Sequence, residues 1–205
     1  GFFFLVAHET LATATAGLEP ATARWLRLGG ATAAAVAGAF TFTNWQNSNE
    51  TEVYAAATFS IAAMAWLVHV WRRHRGTARA PRLLLLVVYL SGISIGNHLL
   101  ALLAGPAVIA FIATTLRDQP AESVEQRREE WGQLAVVAGV WALLIGTGLG
   151  STALVIGGGV CFAAAAAYAT RGGAGQFACL SLLIAGIGVT PVSYTHLTLP
   201  TTSRV

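Results

Sequence analysis

Between Arg82 and Arg117 the chain runs for 34 residues with no Asp, Glu, Lys or Arg. About 20 apolar residues suffice to cross a hydrocarbon core of about 30 Å. At 1.5 Å per residue an unbroken helix over this stretch would reach about 50 Å, far too long for one crossing. Its middle holds Ser91-Gly92-Ile93-Ser94-Ile95-Gly96-Asn97-His98, and Gly105-Pro106 follows. Two short spans meeting at a polar apex at Asn97-His98 fit this pattern better than one. The remainder of the chain is nearly as dry. Over its 205 residues 55% are hydrophobic and 10% are charged, against about 25% charged in ordinary soluble domains. A soluble globular protein, a disordered tail and a nucleic-acid binder are thereby excluded. Other apolar stretches lie at about 1–17, 28–45, 53–71, 134–150, 151–170 and 177–190. The expected fold is all-α: a polytopic transmembrane helical bundle of about seven to eight spans, some short or re-entrant.

The arginines choose the topology. All 12 basic residues are arginine, which in an Ala- and Gly-rich chain points to a GC-rich bacterial gene. With a hairpin at 83–116, the segments holding Arg24 and Arg27, Arg72 to Arg82, Arg117 to Arg128, and Arg171 fall on one side. A single span would send four of these arginines to the opposite face. Because Arg and Lys in short loops stay cytoplasmic, the hairpin is preferred. The extracytoplasmic face then receives residues 46–52, the Asn97-His98 apex and a tight Gly150-Ser151 turn. The charged segment Arg117 to Trp131 reads as a short amphipathic or solvated cytoplasmic helix. The five arginines from Arg72 to Arg82 read as topology determinants first and anionic-lipid contacts second.

Met64 is the only methionine, so the native start is expected upstream of Gly1. After Pro191 the composition changes abruptly to SYTHLTLPTTSRV. The transmembrane domain is therefore expected over residues 1–191. Residues 192–205 are expected to be a non-native tail of the kind left at the end of a metagenomic contig. Cys161 and Cys179 sit in apolar stretches without the spacing of a disulfide or metal motif.

The candidate functional residues are the polar ones in unexpected places. Trp45, Glu50, Glu52 and Tyr54 cluster where two apolar stretches meet, and polar groups at membrane depth are costly unless they pair or line a cavity. Capping explains part of the cluster: Asn49 as N-cap with Glu52 at the third helical position resembles a capping box. It leaves Trp45, Glu50 and Tyr54 unexplained. Asn97 and His98 fall at the helix break on the same face. Gly92 and Gly96 make a GxxxG step, most simply a close packing surface. His8 and Glu9, within the first apolar stretch, require a pair or a cavity.

NETEVY, followed after an arginine-rich segment by PRLLLLVVYLSGISIGNHLLALLAGPAV, resembles the bacterial protein O-mannosyltransferase-like membrane family. That family was long filed as a domain of unknown function and is related to an animal endoplasmic-reticulum O-mannosyltransferase. The resemblance covers about residues 1–116. It implies a glycosyltransferase of the C-type superfold, transferring a sugar, mannose being the first candidate, from a polyprenyl-phosphate donor to a protein or glycan hydroxyl at the extracytoplasmic face. It implies a bacterial inner-membrane location and a catalytic base in a first extracytoplasmic loop, expected upstream of Gly1. Glu50 and Glu52 carry over as catalytic candidates, and Trp45, Tyr54, Asn97 and His98 as substrate-binding candidates. The carboxylate-rich loop could also hold a divalent cation through oxygen ligands, although no metal-ligand motif marks one. A transporter or flippase-like carrier, whose broken helices also mark substrate sites, and a non-catalytic membrane scaffold stand as alternatives.

Overall fold

The structure, a computed structural model, describes the backbone of residues 1–41, 54–97 and 99–197, with their side chains except at 54, 96, 97, 99, 100 and 191–197. Among the described residues it is a helical bundle of eight α-helices and one 3₁₀ turn, without strands. The order is α1 (Phe2–Ala14), α2 (Pro20–Phe40), α3 (Tyr54–Arg73), α4 (Ala80–Asn97), the 3₁₀ turn (Leu99–Leu103), α5 (Ala104–Asp118), α6 (Val124–Gly148), α7 (Thr152–Arg171) and α8 (Gly175–Leu197). By length and composition, Ala101–Asp118, Val124–Gly148 and Thr152–Arg171 are long and apolar enough to cross a membrane. Phe2–Ala14, Ala80–Ile95 and Gly175–Thr190 are shorter apolar helices.

The long uncharged stretch is broken where the sequence predicts. α4 ends at Asn97, a 3₁₀ turn follows, and α5 restarts at Ala104. Pro106 is tolerated so early in α5 because the first helical N–H groups lack intrahelical partners anyway. One carbonyl of the break is satisfied from another helix: the Trp141 indole on α6 donates to the Leu102 carbonyl at 2.8 Å. Gly105 makes room for that ring, since a Cβ there would stand 1.9 Å from Trp141. The tight Gly150-Ser151 turn also forms. Gly150 takes φ 62°, a left-handed value that suits glycine, and the Ser151 hydroxyl caps α7.

Two expectations require correction. Arg24 and Arg27 lie inside α2 rather than before it. The helix starts early because Pro20 opens it and the Glu19 carboxylate accepts from the N–H groups of Thr22 and Ala21, at 2.9 and 3.1 Å. Those bonds, Thr22 first, hold the exposed Glu19 carboxyl below its ordinary range. Likewise Arg117 to Trp131 is no separate amphipathic helix. α5 runs to Asp118, Ser123 caps a new helix by accepting from the Gln126 N–H, and α6 continues unbroken to Gly148.

The core lies between α3, α4, α5 and α6, around Met64, Trp71, Leu84, Ile112, Val136 and Trp141. Small residues bring the outer helices close. Gly92 on α4 packs on Gly188 of α8, and a Cβ at Gly92 would stand 3.0 Å from the Ala185 carbonyl. Gly146 on α6 and Gly158 on α7 similarly face the partner backbone. α7 turns Leu154, Ile156 and Val160 outward, as a lipid-facing helix does. α1 runs alongside α3, with Phe2 edge-on to Phe59 at 5.3 Å.

The break makes two substitutions informative. Trp141→Phe removes the bond to Leu102 and strands a buried carbonyl, and should cost about 1–3 kcal/mol. Gly105→Ala drives a methyl into the indole and should cost about 1–3 kcal/mol. Thermal unfolding in detergent measures both, and together they should add less than their sum, because they disturb one contact.

Candidate functional site

The helix ends frame the sequence-predicted site. α2 ends at Phe40, α3 begins at Tyr54, and α4 ends at Asn97, all at one end of the bundle. Trp45, Glu50, Glu52 and His98 lie outside the described residues, as do the side chains of Tyr54 and Asn97. Near the end of α2 and the start of α3 the described residues enclose an apolar hollow of about 450 Å³ between α1, α2 and α3. Phe2, Phe3, Ala39, Ala55, Phe59 and Ala62 are among its walls. It can receive hydrocarbon and offers no charge. No group of three or more His, Cys, Asp or Glu residues capable of holding a metal occurs among the described residues.

The opposite end carries the charges. Arg75, in the turn between α3 and α4, meets Glu130 of α6 in a fork, Nε to Oε1 at 3.2 Å and Nη2 to Oε2 at 2.6 Å. Both side chains are about nine-tenths buried. The remaining donor, Nη1, reaches the carbonyls of Gln119 at 2.7 Å and Thr115 at 3.5 Å, at the end of α5. Gln126 Nε2 also donates a hydrogen bond to Glu130 Oε1 at 3.1 Å. The planar guanidinium satisfies a carboxylate and a helix C-terminus together, which an ammonium cannot do in the same geometry.

A second ion pair ties α1 to α3. Glu9, buried, pairs with Arg73, and Arg72 donates to Thr13 Oγ1 at 3.0 Å. The sequence demanded a partner or a cavity for Glu9, and Arg73 is that partner. His8 instead stacks on Phe4 and lines a hollow with Arg24 and Arg27. Arg27 donates to Thr15 Oγ1 at 2.7 Å, closing the turn between α1 and α2. His69 is buried edge-on to Phe111 at 4.6 Å, and its Nδ1 has no hydrogen-bond partner among the described residues. Arg72 lies over the same Phe111 ring at 5.4 Å. Sequence reasoning singled out neither His69 nor the Arg75–Glu130 pair. Glu130 sits among seven other charged residues in the segment from Arg117 to Trp131, which reads as solvated, and only the helix phase of α6 turns it inward.

The family model of the protein O-mannosyl-transferase TMEM260 N-terminal domain matches residues 1–122. The chain belongs to this family. The match ends in the connection between α5 and α6, so the O-mannosyltransferase N-terminal domain is α1 to α5 and both hairpin arms of the 83–116 stretch fall inside it. NETEVY and GNHLL lie within the matched residues. No curated protein and no solved structure matches the chain. Glycosyltransferase family membership and apolar helices long enough to cross a bilayer together make this a membrane protein of the glycosyltransferase type.

The buried pair between the family domain and α6 should be worth more intact than halved. Arg75→Gln or Glu130→Gln alone should cost about 3–5 kcal/mol, by leaving a charge buried without its partner. The double replacement by methionine should recover most of that loss in the same detergent unfolding assay.

Proposed function

We propose that the chain is part of a bacterial inner-membrane glycosyltransferase. It transfers a sugar, mannose in the first instance, from a polyprenyl-phosphate donor to a protein or glycan hydroxyl at the extracytoplasmic face. The observation that carries the reading is the family match over residues 1–122, with both motifs of the resemblance inside it. The apolar hollow beside the ends of α2 and α3 is consistent with a lipid-linked donor at that end. Residues 1–191 are taken as the functional unit.

In this reading the acceptor hydroxyl attacks the anomeric carbon, the bond to the lipid phosphate breaks, and a carboxylate takes the hydroxyl proton. Proton transfer of that kind contributes about 10²–10⁴-fold. Glu50 faces the donor cavity, and His98 or the backbone near Asn97 meets the departing phosphate. Trp45 and Tyr54 supply flat surfaces for the sugar. Glu52 caps α3, and a divalent cation, if the enzyme uses one, binds the same carboxylate-rich loop through oxygen ligands.

Sugar transfer from polyprenyl-phosphate donor, assayed in membranes containing the full-length protein, separates these roles. Glu50→Gln should leave folding intact and lower transfer by about tenfold or more. Glu52→Gln should cost about 1 kcal/mol or less of stability and spare activity. His98→Ala should weaken donor use. If Glu50→Gln and His98→Ala both keep full activity, the cluster only caps helices.

A further inference from the structure

The polar cavity at the arginine end continues into the apolar body of the bundle. It begins where the α3–α4 turn, the start of α6 and the α7–α8 turn meet, as a hollow of about 680 Å³ with Arg128 and Arg171 in its wall. Ala78, Pro81, Glu129, Gln133 and Gly173 are shared with a second hollow of about 360 Å³, which passes between α4 and α8 beside Arg82 and Phe177. Arg82 and Leu85 are shared in turn with a third of about 290 Å³, whose other walls are Leu86, Tyr89, Ile184 and Ile187. Shared walls make the three one trough, polar where it opens and apolar where it ends. From Arg82 to Tyr89 it descends about 10 Å along α4. Beyond Ile187 the backbones of α4 and α8 meet at Gly92 and Gly188, which closes the interface there.

Its charge is unspent. Arg82, Arg128 and Arg171 are exposed, and none is in an ion pair or side-chain hydrogen bond with a described residue, unlike Arg73 and Arg75. Among the carboxylates along the trough, Glu130 is neutralised by Arg75. Glu129 accepts from Gln133 at 3.0 Å, and Glu125 lies in the first turn of α6. Three free guanidinium groups thus face two unpaired carboxylates, at the mouth of a groove whose inner walls are leucine, isoleucine and tyrosine. Guanidinium groups bind phosphate in a bidentate fork, and basic pockets between membrane helices on this side are fitted to anionic lipid headgroups.

We infer that this trough is a binding site for one anionic phospholipid of the arginine-side leaflet. Its headgroup lies in the polar part of the trough, which Arg171 and Arg82 line in turn, and one acyl chain lies along Leu85, Leu86, Tyr89, Ile184 and Ile187. A soluble phosphate would answer the arginines and leave the apolar inner end of the groove unfilled. The site is at the opposite end of the bundle from Tyr54 and Asn97, so it is independent of the proposed sugar-transfer site.

Photocrosslinking tests it directly. The chain is reconstituted in phosphatidylcholine vesicles with a trace of phosphatidylglycerol carrying a diazirine in its tail, irradiated, and mapped by peptide mass spectrometry. Insertion should concentrate in residues 83–90 and 180–188. A phosphatidylcholine probe with the same tail should label those peptides several-fold less. Arg82→Gln and Arg171→Gln should each lower labelling by about fivefold, with the elution profile unchanged because neither side chain has a partner to lose. Ile184→Trp, which fills the trough, should lower labelling with the arginines intact. Excess inorganic phosphate should leave it unchanged. Equal labelling by both probes would show a general lipid-facing surface and overturn the site. Loss of labelling to inorganic phosphate would show a phosphate site and overturn the lipid assignment.

Discussion

A hydrogen bond from the Trp141 indole to the Leu102 carbonyl holds the point at which the longest apolar stretch turns back on itself. In a medium without water a helix break leaves backbone groups that something else must satisfy. Here a neighbouring helix satisfies one of them, and Gly105 lets the ring approach. Everything downstream inherits its direction from that reversal. If the break were a continuous helix, Arg117, Arg127, Arg128 and Arg171 would stand at the far end from Arg72 to Arg82. The buried fork between Arg75 and Glu130 could not then form.

α6 therefore grips the O-mannosyltransferase N-terminal domain at two heights. Glu130 takes Arg75 near one end of the bundle, and Trp141 takes Leu102 about 16 Å further along the helix at 1.5 Å per residue. The first contact also ties the end of α5, since Arg75 reaches the carbonyls of Thr115 and Gln119. Two fixed points on one rigid helix set the angle between α4 and α5, and with it where Asn97 ends. The polar end proposed for sugar transfer is thus oriented by residues that belong to the other end and to a helix beyond the family match.

Much of this frame was legible from residue order. Thirty-four uncharged residues exceed one crossing, and Asn97-His98 with Gly105-Pro106 mark the only places where a turn is inexpensive. The burial of Glu9 required a partner, and Gly92 required a close neighbour. Other features depend on helix phase, which composition does not reveal. Glu130 and Glu129 look alike in EQRREE, yet a rotation of one residue buries the first and exposes the second. Arg24 and Arg27 read as loop residues until Glu19 and Pro20 start α2 ahead of them. His69 gave no signal at all, because a lone histidine in YAAATFSIAAMAWLVHVWRR has no motif around it. The candidate site itself was read from residue type and from resemblance, and Trp45, Glu50, Glu52 and His98 lie outside the residues that the structure describes.

The reversal between α4 and α5 is tested most directly by sidedness. Cys161 and Cys179 are first replaced by serine, and single cysteines are then placed at Ala78, Glu122 and Ser48. A membrane-impermeant thiol reagent is applied to sealed membranes, and again after they are opened. The account predicts that positions 78 and 122 are protected or labelled together, and that position 48 behaves oppositely to both. Labelling of position 122 with position 48, while 78 differs, would mean that the 83–116 stretch crosses once, and would contradict it.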